Sequence, residues 1–194
     1  GSGQLGKIKG RNKNFHHHHK EVMQKGGKQK PLRKPQRQPR PGQESKMQPK
    51  PDAEPEFKSS GKLKDKVALI TGGDSGIGRA VAALFAKEGA HIAIAYLSEH
   101  KDAEETMTMV EEYKRECILI PGDLSKETNC KKAVAATVKK FGKIDILVNN
   151  AAIHFESEKL EDISADQLIK TFATNFYSYF WVTQAALLDM EEGS

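Results

Sequence analysis

The stretch Val67-Ala-Leu-Ile-Thr-Gly-Gly-Asp-Ser-Gly-Ile-Gly-Arg79 constrains the fold of this chain more than any other. An apolar, β-branched run enters a glycine turn and leaves it into an Ala- and Leu-rich segment of helical periodicity. Strand, glycine loop and helix in that order make an anion cradle. Gly72, Gly76 and Gly78 stand where a backbone must turn tightly, admit a pyrophosphate with no Cβ in the way, and pack a helix close on a strand. N–H groups of the helix's first turn then face the anion. The spacing Gly-x-x-x-Gly-x-Gly is one residue longer than the dinucleotide fingerprint Gly-x-Gly-x-x-Gly, so its meaning depends on what surrounds it.

From Lys66 onward, strands and helices alternate, which predicts an α/β domain with a parallel sheet. The first strand is Val67 to Thr71. A helix over about Gly76 to Glu88 places Ile77, Val81, Leu84 and Phe85 on one face and ends at Gly89. His91 to Tyr96 reads as a second buried strand, ending where dinucleotide folds read the adenosine ribose. There an Asp or Glu pairs with the 2′-hydroxyl and a nearby Arg favours a 2′-phosphate. This chain has Tyr96, followed by Leu97 and Ser98, and so carries neither device. An acidic, amphipathic helix over Glu99 to Lys114, expected as a solvent-facing crossover, leads to a third strand, Cys117 to Pro121. Asp123 then falls at a strand's carboxyl end, where it either touches a ligand or caps a turn. A helix over Lys126 to Phe141, closed by Gly142, precedes a fourth strand, Ile144 to Val148, which runs into Asn149-Asn150-Ala151-Ala152. Those small and polar residues allow close approach to a nucleotide. A long helix over Ala165 to Met190, apolar around much of its circumference, is expected to be buried. Asn175 interrupts it, as a hydrogen-bonded core amide or as a functional group.

The 194 residues do not share one composition. Residues 1 to 60 hold 15 Lys and Arg against 5 acids, and residues 61 to 194 hold 16 against 21, so the overall +5 comes from the tail. Seven of the eight prolines lie between Pro31 and Pro55, in a stretch almost devoid of large apolar residues. Such a segment cannot offset its ordering entropy, and residues 1 to 60 are expected to be disordered. Gly1-Ser-Gly reads as a cloning scar, His16 to His19 as a tag remnant or solvated run, and Met23 and Met47 as alternative starts. The basic run around Lys28, Lys30, Arg33, Lys34, Arg37 and Arg40 has no interleaved aromatics for base stacking, so a solvated lead-in is expected before a nucleic-acid contact. No metal site is expected. Cys117 and Cys130 lack metal-ligand spacing and a secretory context, no apolar run is long enough to span a membrane, and a cytoplasmic protein is expected.

Four features in order, Thr71-Gly72-x-x-x-Gly76-x-Gly78, Asp123, Asn149-Asn150-Ala151 and Asn175, resemble the short-chain dehydrogenase/reductase family over residues 61 to 194. Thr71-Gly-Gly-Asp-Ser-Gly-Ile-Gly-Arg79, the Pro-rich lead-in ending in Phe57-Lys58, and Asn175-Phe-Tyr-Ser-Tyr-Phe are similar to one branch, the bacterial general-stress proteins and glucose/ribitol dehydrogenase-like proteins. The resemblance implies a Rossmann-type doubly wound sheet, here incomplete at about four strands, and hydride transfer between NAD(P)(H) and a carbonyl or secondary alcohol, such as a sugar or polyol. It implies that Gly72, Asp74, Ser75, Gly76, Ile77 and Gly78 surround the pyrophosphate, that Tyr96 stands at the ribose, and that Asp123 and Leu124 hold the adenine. Asn149, Asn150 and Ala151 would line the ribose side, and Asn175 would help hold a water in the proton relay. The family's relay also needs a Tyr, a Lys one turn away that lowers its pKa, and a Ser. No Tyr-x-x-x-Lys occurs in residues 61 to 194, so the chain as given is expected to bind cofactor without turning over, and a non-catalytic nucleotide-binding fragment is the alternative reading. Ser75 leans toward NAD and Tyr96 leans back, with the balance slightly to NAD. Relatives form dimers and tetramers. The fourth strand is expected to be an apolar edge, leaving the chain poorly stable alone or prone to self-association.

Overall fold

A computed structural model describes residues 58–194; the basic tail, His16 to His19 and the expected disordered stretch lie, but for Lys58 to Ser60, outside the described residues. Three runs rich in β-branched and small apolar residues form β1 (Val67–Thr71), β2 (His91–Tyr96) and β3 (Cys117–Pro121), at the bounds their composition predicts. β4 (Ile146–Val148) is shorter than expected, because Ile144 turns into the core and Asp145 leaves the strand to cap the start of β1. All pairs are parallel in the order β3-β2-β1-β4, with Ala68 opposite Ile92 and Ile146, and Ile94 opposite Leu119.

Every residue of β1 is buried, as a strand covered on both faces requires. On one face, Ala68, Ile70, Ile92 and Ile94 pack with α1 (Gly76–Lys87) and α2 (His100–Glu112). On the other, Leu69, Ala93 and Ala95 pack with Cys130, Ala133 and Val134 of α3 (Glu127–Phe141) and with Val182 and Ala186 of the last helix. Helices on both faces of a parallel sheet make the architecture doubly wound, with a switch point between β1 and β4 where the strand order reverses. The α3 terminus follows its sequence signal, with Gly142 in the left-handed region at φ 81.

Two expectations are corrected. The α1 face against the sheet is built from Gly78, Ala82, Ala83 and Ala86, with Val81 and Phe85 at its margin. Ile77 is 76% exposed, because α1 lies too close to β1 for a large side chain in its first turn. α2 is amphipathic as expected, with Asp102, Ala103, Thr106 and Val110 on its buried face. The long helix is a continuous run in three parts, α4 (Ala165–Phe172), a π-helical turn over Ala173–Tyr177, and α5 (Ser178–Ala186). It starts on a capping box between Ser164 and Gln167. Much of it is exposed, since only one side of α5 meets α3 and the sheet; Phe172, Phe176 and Phe180 are each more than half exposed.

Candidate functional site

The carboxyl ends of β1, β2 and β3 open onto a cleft of about 630 Å³, the size range of small-ligand sites. Gly72, Asp74 and Ser75 border it from the glycine loop, Tyr96 from the end of β2, Asp123 and Leu124 from the end of β3, and Asn150 and Ala151 from the end of β4. Lys170 and Thr174 border it from the last helical run. Gly76, Ile77 and Gly78 form the first turn of α1 beside this cleft, while Asn149 and Asn175 stand outside its lining.

The glycine loop is locked by contacts that need its glycines. A Cβ on Gly78 would lie 2.0 Å from the Gly72 carbonyl oxygen and 2.7 Å from Asn150 Nδ2, so no other residue fits between α1 and the loop. Gly76 differs: its φ of 53 demands the left-handed region, yet the space where a Cβ would sit is empty. One glycine closes the turn on the protein, and the other leaves it open outward.

Thr71 ties this loop to β4. Its hydroxyl donates to the Val148 carbonyl at 3.3 Å and accepts the N–H groups of Asn150 at 2.9 Å and Ala151 at 3.0 Å. Asn150 Nδ2 donates to the Gly72 carbonyl at 2.9 Å. The Asn150 side chain is therefore a strut of the loop, a role its position alone did not disclose. Asn149 Nδ2 reaches Thr183 on α5 at 3.0 Å.

Arg79, at the end of the glycine motif, is a buried clamp that the sequence reading missed. Its guanidinium donates to the Asp74 carbonyl at 2.8 Å, to the Asp102 carbonyl at 2.9 Å and to Thr106 Oγ1 at 2.9 Å, and it pairs with Glu105 at 3.3 Å. Thr106 itself donates to the Asp74 carbonyl at 2.9 Å. The signal available in the sequence was an Arg inside a small-residue helix face, where a charge needs partners. Burial raises the Asp74 carboxyl above its ordinary range; its own backbone N–H and Arg79 oppose this, and Asp102 and Glu99 add to it.

Asp123 makes a turn with Ser125, whose N–H donates to Oδ1 at 3.0 Å, and Asn129 Nδ2 donates to its carbonyl at 2.9 Å. Burial works to raise this carboxyl, but Ser125 and the charges of Lys170 and Lys126 outweigh it and hold it below the ordinary range. Asp123 is thus a turn residue and a cleft-lining anion together. Asn175, in the π-helical turn, spends both amide atoms on one residue: Oδ1 accepts the Ile153 N–H and Nδ2 donates to the Ile153 carbonyl, each at 2.8 Å.

The surroundings fit a dinucleotide. The space left where a Cβ would stand at Gly76, the cleft beside it, and Thr174 Oγ1, a buried cleft-lining atom with no protein partner, suit a polar ligand. Among the described residues, no group of His, Cys, Asp and Glu has metal-holding geometry, and no helix is long and apolar enough to cross a membrane.

A short chain dehydrogenase family model matches residues 66–194, the whole of the sheet and its helices. The chain belongs to the short-chain dehydrogenase family. It is 56% identical over 161 residues to the uncharacterized oxidoreductase YhdF of Bacillus subtilis, covering 82% of this chain and 56% of that protein. It is 54% identical over 155 residues to general stress protein 39 of the same organism, covering 79% of this chain and 54% of that protein. These likenesses agree with the general-stress branch named from the motifs. A short-chain dehydrogenase of Burkholderia cenocepacia, solved in complex with NADP, superposes with a TM-score of 0.66 at 35% identity, over 69% of this chain and 54% of that one. The chain spans about half the length of the curated relatives it matches.

Proposed function

We propose that this short-chain dehydrogenase chain supplies the dinucleotide-binding part of an NAD(P)-dependent oxidoreductase acting on a carbonyl or secondary alcohol of sugar or polyol type. The observation that carries the reading is the locked glycine loop: Gly78 and Asn150 brace it from behind, and Gly76 opens it toward the cleft. When bound, the nicotinamide cofactor supplies or takes up the hydride. This chain's residues bind and orient it. Ile77 and Gly78 offer first-turn N–H groups of α1 to the pyrophosphate, Ser75 and Gly76 shape the turn around it, Asp74 anchors the turn through its carbonyl, and Asp123 and Leu124 take the adenine. Ala151 lines the ribose side, and Asn149 two residues before it is held to Thr183 of α5. Asn175 is a positioning residue, which fixes the backbone at Ile153 next to the cleft-lining Ala152 and His154.

The Tyr, Lys and Ser that move the proton in the family have no Tyr-x-x-x-Lys counterpart in residues 61 to 194. Cofactor binding is assigned to this chain, and turnover to a protein that also carries those residues. The expected result is that the purified chain quenches or shifts NAD(P)H fluorescence but oxidises no polyol and reduces no aldehyde. Gly78→Ala is expected to abolish binding, because the added methyl cannot fit. Failure of the unaltered chain to bind either dinucleotide, under conditions where it is folded by circular dichroism, would overturn the reading. The free thiols of Cys117 and Cys130 fit a reducing, cytoplasmic setting, which we include in the proposal.

A further inference from the structure

The corner where β2 meets α2 decides which ribose a dinucleotide site accepts, and here the residue at the strand's end is already engaged. The Tyr96 hydroxyl lies 2.7 Å from Nδ1 of His100, the first residue of α2, and the two rings meet edge to face. The next residues are Leu97 and Ser98, and Ser98 Oγ donates to Glu99 Oε1 at 3.3 Å. Of Ser98, Glu99, His100 and Lys101, only Glu99 borders the cleft. It precedes the first turn of α2 and makes no side-chain capping bond there, so its carboxylate is not committed to the helix. With one oxygen oriented by Ser98, that carboxylate retains lone pairs for further donors.

The electrostatics of the corner point the same way. Asp74 lines the cleft beside Glu99, and the guanidinium of Arg79 is turned inward onto the Asp74 and Asp102 carbonyls, Thr106 and Glu105. The cleft's lysine, Lys170, stands where its charge acts on Asp123 instead. A ribose with free hydroxyls offers donors that a carboxylate accepts. A 2′-phosphate brings a further negative charge against two carboxylates at short range, where like charges repel strongly.

We propose that Glu99 reads the adenosine ribose and sets a preference for NAD(H) over NADP(H), taking over, three residues later, the task the strand terminus does not perform. The inference rests on the dinucleotide reading above. The test is titration of the full-length protein carrying this sequence with NADH and with NADPH, followed by fluorescence. The unaltered protein is expected to bind NADH more tightly. Glu99→Gln is expected to shift the ratio of affinities toward NADPH by about tenfold, with its melting temperature unchanged. Glu112→Gln removes a charge from the exposed C-terminal end of α2 and is expected to leave the ratio alone, which separates a contact from a general change in charge. A preference for NADPH in the unaltered protein, on the precedent of the Burkholderia complex, would overturn the inference, as would an unchanged ratio in Glu99→Gln or an equal shift in both variants. Binding of neither dinucleotide would instead remove the proposed function itself.

Discussion

Asp145 shows how a single side chain outside the cleft governs the sheet that builds it. Its Oδ2 accepts the Val67 N–H at 2.8 Å and pairs with Lys143 at 2.9 Å, while Oδ1 meets Lys66 at 3.4 Å. Burial works to raise this carboxyl, but Lys143, the Val67 N–H and Lys66 outweigh it and hold it below the ordinary range. A carboxyl with a depressed native pKa contributes stability that is present above its unfolded value and lost as pH falls through the native one. Asp145→Asn is therefore expected to cost about 1 kcal/mol at pH 7, with the difference from the unaltered chain shrinking once the pH drops below about 4. Urea melts at a series of pH values measure it; a pH-independent difference would show that charge plays no part. Arg79 teaches a related lesson. In the sequence it is the last residue of the glycine motif, yet besides the nearby Asp74 carbonyl its partners lie 23 to 27 residues away on α2. Composition discloses that such an Arg must be paired, and only the fold discloses with what.

At the level of elements, strands were far more legible than helix faces. The bounds of β1, β2 and β3 are plain in the sequence, because their runs are apolar and β-branched and because β1 ends at Gly72 and β3 at Pro121-Gly122. The α1 face was misread because the large residues of its period, Ile77 among them, are not those that touch the sheet; close approach selects Gly78, Ala82 and Ala86. The cleft's outline at Gly72, Tyr96, Asp123 and Ala151 followed from motif positions, whereas Glu99 and Thr174 carried no signal until helix and strand met. The π-helical turn was also illegible. Its place is fixed by Asn175, whose amide bonds both polar groups of Ile153 and holds the connection after β4 against the helical run. Asn175→Asp keeps an acceptor but sets an oxygen against the Ile153 carbonyl. We expect a loss of about 2 kcal/mol and faster amide exchange at Ile153 and its neighbours. Unchanged exchange there would remove Asn175 as the anchor.

For the molecule as a whole, both edges of the sheet and one helical flank determine its company. Leu168, Phe172, Phe176 and Phe180 recur every four residues along the last helical run, and each is about half exposed or more. An apolar stripe of this kind marks an association surface, and β4 adds an unpaired strand edge among the described residues. We expect the chain to self-associate, with a mass by light scattering that rises with concentration, and the pair Phe176→Glu and Phe180→Glu to return it to the mass of one chain. A constant monomer mass in the unaltered chain would refute this. The seam between β1 and β4 has a different consequence, in time. The bonds that join Thr71 and Gly72 to Val148, Asn150 and Ala151 close loops of 77 to 80 residues, whereas β1 pairs with β2 after a short crossover. Contacts so distant along the chain carry the larger closure entropy and form slowly. The floor of the cleft is then expected to close late in folding, after β1 and β2 have paired, so that a nucleotide meets its cradle only once most of the sheet stands.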